Sequence, residues 1–242
     1  MNRKIILTGA GTGIGRAAAL RLAKERDELL LAAFRHEEAL REVQAECEAL
    51  GARVHLFTGD LSKRENISRL VSLVKDVFGT PDVLINNLGI SHVGLFQEES
   101  EEAFRTILET NLVSAVTLTR EIVKLMLTHK CGRIVNVSSV YGETGASCEV
   151  DYSLTKGGIN ALTRALGKEL APSGIQVNAI APGAIDTGMN ARLTEEERRA
   201  LEQEIPMCRM GTPEEVADMI ALLLETPLYF TAQVVTFDGG WT

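Results

Sequence analysis

The sequence predicts a single α/β domain: a doubly wound parallel sheet of about seven strands with helices on both faces. Short apolar runs alternate with longer amphipathic stretches along the whole chain. The runs read as continuous Ile/Leu/Val, the pattern of strands buried on both faces. The first run passes through a glycine-rich loop straight into a helical pattern, as a dinucleotide-binding unit would. A length of 242 residues suits one such domain.

The elements follow in order. Strands are expected at Lys4–Thr8, Glu28–Phe34, Arg53–Thr58, Val83–Asn86, Arg133–Ser138, Gln176–Ile180 and Val234–Phe237. Each is a short β-branched or leucine-rich run. Helical periodicity fills the intervals: Ile14–Arg26, Glu37–Leu50, Glu65–Phe78, two helices around Glu101–His129, Tyr152–Leu170 and Pro213–Glu225. The stretch from Pro182 to Pro213 breaks the rhythm. It is about thirty residues without a strand, the length of a functional loop rather than a connection. It holds one charged helix, Thr194–Glu204, and residues 183–211 are expected to form a substrate lid. With no internal repeat and no Ser/Pro-rich linker, residues 1–242 read as one domain.

Composition narrows the function classes. The net charge is −8 and no Lys/Arg block exists, so a nucleic-acid face is not expected. The longest apolar run, Leu29 to Phe34, is far short of the roughly 20 residues of a membrane span. No signal peptide is read at Met1-Asn2-Arg3-Lys4. Cys47, Cys131, Cys148 and Cys208 lie far apart and make no metal-ligand spacing with His36, His55, His92 and His129. A reduced, cytoplasmic, metal-free protein is the expectation.

The loop Thr8-Gly9-Ala10-Gly11-Thr12-Gly13-Ile14-Gly15 joins the first strand to the first helix. Glycines let backbone amides approach a pyrophosphate, and the helix N-terminus adds N–H donors and a positive dipole end. An acidic residue about 20 positions on would hold the ribose 2′-OH of NAD. The second strand instead ends Phe34-Arg35-His36, with no carboxylate before Glu37. Arg35 can pair with a 2′-phosphate, so NADP(H) is expected over NAD(H). Further on, the fifth strand ends in Ser138-Ser139, and Tyr152 and Lys156 follow at i and i+4 on one helix face. An ammonium beside a phenol lowers its pKa, making Tyr152 a candidate proton donor to a carbonyl oxygen. Asn86-Asn87-Leu88-Gly89 ends the fourth strand, and Asn111 lies in the helical stretch after it.

Taken together these motifs resemble the short-chain dehydrogenase/reductase family. The matching residues are Thr8-Gly9-x-x-x-Gly13-Ile14-Gly15, Asp60-Leu61, Asn86-Asn87-Leu88-Gly89, Asn111, Ser139, Tyr152 with Lys156, Pro182-Gly183 and Thr187, in family order across the chain. The resemblance implies a Rossmann-type sheet and hydride transfer between a nicotinamide and a carbonyl or alcohol. It implies Tyr152 as acid/base, Ser139 orienting the carbonyl, Lys156 gripping the nicotinamide ribose and Asn111 holding a water in a proton relay. Gly9, Gly11, Thr12, Gly13, Ile14 and Gly15 would cradle the pyrophosphate, and Asp60 and Leu61 would meet the adenine. Asn87 and Gly89 would line the ribose side, with Pro182, Gly183, Ile185 and Thr187 at the carboxamide. Most such enzymes are homotetramers or homodimers. The chain departs from the family at Leu88 and Ala232, where Ala and Gly are usual.

Within the family the chain resembles 3-oxoacyl-carrier-protein reductases at Ser173–Gly183 and Phe237–Trp241. The segment Gly142–Val150 resembles instead a branch that includes reductases of an aminopentanone group on elongation factor P. Ser173 stands where carrier-protein reductases often carry a docking Arg. Glu143, Glu149 and Asp151 flank the site, and a negative rim there would favour an amine-bearing ketone over an acidic carrier. Three functions stay open: an NADPH-dependent ketone reductase, an NAD-linked alcohol or sugar dehydrogenase, and a non-catalytic dinucleotide sensor. His92, Cys148, Met207, Met210 and the Glu195–Arg199 run read as pocket wall, packing or solvated helix face.

Overall fold

The computed structural model describes residues 2–35 and 37–242, so Met1 and His36 lie outside the described residues. Seven strands form one sheet: β1 (Lys4–Thr8), β2 (Glu28–Ala33), β3 (Arg53–Thr58), β4 (Val83–Asn86), β5 (Gly132–Val137), β6 (Ile175–Pro182) and β7 (Val234–Phe237). Their spatial order is β3-β2-β1-β4-β5-β6-β7, and every pairing is parallel. Leu7 of β1 pairs with Leu31 on one side and Ile85 on the other. The order therefore reverses at β1 and β4, and a crevice opens beyond their carboxyl ends.

The helices are α1 (Gly13–Ala23), α2 (Glu37–Ala49), α3 (Arg64–Phe78), α4 (Glu101–Leu108), α5 (Ser114–His129), α6 (Tyr141–Thr144), α7 (Val150–Leu170), α8 (Glu195–Glu204) and α9 (Pro213–Glu225). Side chains alternate across each strand, so one run feeds two cores. Ile5 and Leu7 pack with Leu22 of α1, Leu40 of α2 and Ile220 of α9. Ile6 packs on the opposite face with Leu70 of α3 and Ile122 of α5. Among the described residues, no helix is long and apolar enough to cross a membrane.

Several boundaries differ from the sequence expectation for local reasons. β2 ends at Ala33 because Phe34 turns outward and is exposed. β6 runs on to Pro182, where pairing with Phe237 continues and the missing proline N–H falls at the strand's last residue. Between α4 and α5 the chain widens into a π-helical turn, Glu109–Val113, which carries Asn111. The short α6 had no periodic signal, being a single turn after β5.

Residues 183–211 leave the carboxyl end of β6 and return to it. Ile185 bridges Gly211, Asp186 N donates to Gly211 O and Gly211 N donates to Ala184 O, both at 2.9 Å. These contacts pinch the loop at its base. Its α8 starts with a Thr194/Glu197 capping box, the expected helix start.

Candidate active site

The nucleotide end is built on the β1–α1 turn. Gly9 has φ +67°, and a Cβ there would stand 2.9 Å from Asn87 Nδ2. A Cβ on Gly15 would lie 2.0 Å from Gly9 O, so only glycine lets the helix start this close to the strand. Asn87 Nδ2 donates to Thr8 O and Gly9 O at 3.0 Å, while Thr8 Oγ1 accepts from the Asn87 and Leu88 amides. The ends of β1 and β4 are thereby stapled across the crevice. Thr12, the N-cap of α1, has extended backbone and no side-chain cap hydrogen bond. The first-turn amides of α1 are left for an anion.

Around this turn the structure places the other expected binding residues. Gly11 is buried, Thr12 is exposed, and Gly13 and Ile14 are half-buried, Ile14 packing against the core. Thr187 Cγ2 comes within 3.4 Å of where a Gly13 Cβ would be, so the start of the 183–211 segment meets the glycine turn. Ile185 is buried below it. Gly183 N donates to Phe237 O, and Pro182 O accepts from Val140 N, which fixes the carboxyl end of β6 beside α6. At the far end, Asp60 Oδ1 accepts from Ser62 N and Leu61 is buried. Arg35 is exposed just past β2, its guanidinium 5.6 Å from the Phe34 ring centroid. Leu88 is half-buried and packs against the core under β4. The glycine cradle and the open α1 N-terminus fit a dinucleotide.

The chemical end lies beyond β4 and β5. Tyr152 and Lys156 share the inner face of α7 and are 8% and 4% exposed. Lys156 Nζ donates to Val137 O at 2.8 Å and stands 5.6 Å from the Tyr152 ring centroid. Burial lowers its pKa to about 8. Burial also pushes the Tyr152 phenol up to about 12, against the opposing pull of the Ser139 hydroxyl. The expected lowering of the phenol by Lys156 is therefore not what this geometry gives: the ammonium is held on the β5 carbonyl, and desolvation dominates. Ser139 is buried, and its Oγ accepts from Tyr141 N at 3.2 Å. Gly89 brings Lys156 and Asn111 together, since a Cβ there would sit 3.5 Å from Lys156 Nζ and 3.7 Å from Asn111 Oδ1. Asn111 brackets Ile90: its Nδ2 donates to Ile90 O and its Oδ1 accepts from Ile90 N, both at 2.8 Å.

Other side chains complete the site in ways the sequence did not signal. Ser138 Oγ donates to Asn160 Oδ1 at 2.6 Å, and Asn160 Nδ2 donates to Glu143 Oε1, which also takes Arg164. Glu149 accepts from Ser91 Oγ and Arg192, each at 2.8 Å. Two of the three carboxylates expected as a negative rim thus carry arginine partners. His92 pairs with Glu99 at 2.9 Å.

A scan of family models matches the short chain dehydrogenase family over residues 3–198. Bacillus subtilis uncharacterized oxidoreductase YmfI is 38% identical over 243 residues, covering 100% of this chain and 99% of that protein. The 3-oxoacyl-[acyl-carrier-protein] reductase FabG of Aquifex aeolicus is 36% identical over 236 residues, 97% of this chain and 95% of the relative. Among solved structures, a variant of actinorhodin polyketide ketoreductase with NADPH superposes with a TM-score of 0.93 at 34% identity, covering 99% of this chain and 97% of the other. The chain belongs to the short-chain dehydrogenase family of NAD(P)-dependent oxidoreductases.

Proposed function

We propose that this protein is an NADPH-dependent reductase of a ketone to a secondary alcohol, acting on 3-oxoacyl thioesters. The observation that carries the reading is the buried Tyr152 phenol beside Ser139, on the same face of α7 as Lys156. A phenol in that place can donate its proton to a carbonyl oxygen, the step that ketone reduction needs. Ser139 Oγ, fixed by the Tyr141 amide, orients the carbonyl oxygen toward Tyr152. Lys156 and Asn111 meet at Gly89, where Lys156 would grip the nicotinamide ribose and Asn111 would support the proton path that reloads Tyr152.

When bound, the reduced nicotinamide supplies the hydride that adds to the carbonyl carbon. Gly9 through Gly15 would hold its pyrophosphate on the α1 amides, Asn87 and Gly89 the ribose, and Asp60 and Leu61 the adenine. Pro182, Gly183, Ile185 and Thr187 would hold the carboxamide, and Arg35 the 2′-phosphate. The 183–211 segment would then close over substrate and exclude water. An oxo-thioester is preferred to an amine-bearing ketone because Arg164 and Arg192 neutralise Glu143 and Glu149. The likeness to a 3-oxoacyl carrier-protein reductase and to a polyketide ketoreductase supports the same substrate class. Exposed Val150 and Leu154 near the site, and Leu222, Leu228 and Tyr229 near the last strand, support assembly into a homodimer or homotetramer.

The test measures reduction of a 3-oxoacyl thioester and of an amino-ketone peptide with NADPH and with NADH, in the wild type and in Arg35→Ala. Thioester turnover with NADPH ahead of NADH is expected. Arg35→Ala should raise the NADPH Kd about tenfold or more, the size of one charge-assisted contact, and leave NADH untouched. Equal use of both dinucleotides would remove the NADPH assignment, and faster turnover of the peptide would replace the substrate class.

A further inference from the structure

Residues 188–204, the outer part of the 183–211 segment, make most of their polar contacts among themselves or with the segment's own base. Arg198 pairs with Asp186 and Glu202, Asn190 Nδ2 donates to Ile185 O, and Thr194 and Glu197 cap each other. Among the described residues, one hydrogen-bonded ion pair ties this part to the rest of the protein. Arg192 Nη2 donates to Glu149 Oε1 at 2.8 Å.

Glu149 is placed to transmit that contact. Its side chain is 12% exposed, and the same Oε1 accepts from Ser91 Oγ at 2.8 Å. Ser91 follows Ile90, whose N–H and C=O are both bonded by the Asn111 side chain. Glu149 is itself the N-cap residue of α7, three positions before Tyr152. Hydrogen bonds and two short stretches of backbone therefore run from Arg192 through Glu149 to Asn111 on one side and Tyr152 on the other.

We propose that Glu149 is a positioning residue that couples the seating of residues 188–204 to the order of the loop held by Asn111. A carboxylate this buried needs its donors, since a buried charge left short of partners is costly. With Arg192 seated, Glu149 is satisfied from both sides and Ser91 is fixed next to Asn111. With Arg192 withdrawn, Ser91 remains as the donor shown on Oε1, and the carboxylate is drawn toward solvent and pulls on Ser91. Arg192 is 43% exposed, so the tie is weak enough to open and close in each turnover.

The kinetic half of this proposal rests on the reductase reading, while the exchange half does not. Amide hydrogen exchange of the full chain is measured in the wild type, Arg192→Ala, Ser91→Ala, Glu149→Gln and Glu149→Ala, with turnover of the oxo-thioester alongside. Arg192→Ala should speed exchange in 188–204 about fivefold, the size of a half-exposed ion pair, with β4 and β5 unchanged. Its KM should rise about fivefold, and exchange at Ile90–Ser91 should speed and kcat fall with it. Ser91→Ala should lower kcat and, through the same carboxylate, speed exchange in 188–204. Glu149→Gln keeps an acceptor for Ser91, so kcat should be retained while KM stays raised, and Glu149→Ala should lose both. Unchanged exchange in Arg192→Ala, or a Gln variant indistinguishable from Ala, would overturn the proposal. Faster exchange in a protein that reduces no ketone would instead overturn the function and leave the coupling standing.

Discussion

Replacing Lys156 by Met should make the protein more stable and catalytically dead. Lys156 is almost fully buried, and burial lowers its pKa from 10.5 to about 8. A folded pKa below the unfolded one means that the folded state binds the proton less tightly. The stability is fully present above the unfolded pKa and is lost as pH falls through about 8. At about 1.4 kcal/mol per pH unit, charging Lys156 costs the folded state about 3 kcal/mol near pH 7. Methionine fits a similar volume without the charge but leaves Val137 O, which accepts from Lys156 Nζ at 2.8 Å, without that donor. The orphaned carbonyl costs about 1–2 kcal/mol, so a net gain of about 1–2 kcal/mol is expected near pH 7. Near pH 9.5 the charging cost of the wild type has fallen by roughly half, and the advantage of the variant disappears. Urea unfolding of both proteins at the two pH values reads the effect, with turnover measured in parallel. A Met variant less stable than wild type near pH 7, or one with the same pH dependence as wild type, would refute the burial cost assigned to Lys156.

Two further substitutions probe the two ends of the site. Tyr152→Phe keeps the ring and removes the proton, so ketone reduction should fall about 10²–10⁴-fold while the thermal midpoint stays near that of the wild type; turnover close to wild type would show that another group protonates the carbonyl. Gly15→Ala puts a methyl 2.0 Å from Gly9 O, so the turn must open. Calorimetric titration with NADPH should show binding lost, and a variant that binds normally would mean the α1 N-terminus is not the phosphate site.

What the sequence made legible, and what it did not, follows from how far each signal reaches along the chain. β1, β3, β4 and β7 fall where the apolar runs put them: β1 and β4 are almost wholly buried, and the half-buried edge strands β3 and β7 stop at Gly59 and at Asp238-Gly239-Gly240. The glycine turn was legible for the same local reason: Gly9 and Gly15 touch within one strand–helix connection. Tyr152 and Lys156, a short motif by spacing alone, stood out only in company with the glycine turn, Asn111 and Ser139. Electrostatics did not follow from spacing. The i, i+4 pair suggested that Lys156 would lower the phenol, but Lys156 Nζ is held on Val137 O, nineteen residues earlier in the chain at the end of β5. The charges near the site tell the same story: Glu143 and Glu149 look like a negative rim in sequence, and their partners Arg164 and Arg192 lie 21 and 43 residues away. Neither arginine stands at a helical i, i+3 or i, i+4 spacing from its carboxylate, so no local pattern announces the pairing. Side chains such as Ser91 and Asn160 are equally silent, since a serine in a loop or an asparagine in a helix gains a role only from the strand ends that the fold brings to it. The family's chemistry is therefore written in short-range motifs, while the charge state of those motifs and the substrate they favour are written in long-range contacts. On the proposed reading, preference for the oxo-thioester should hold as long as Arg164 and Arg192 stay on their carboxylates.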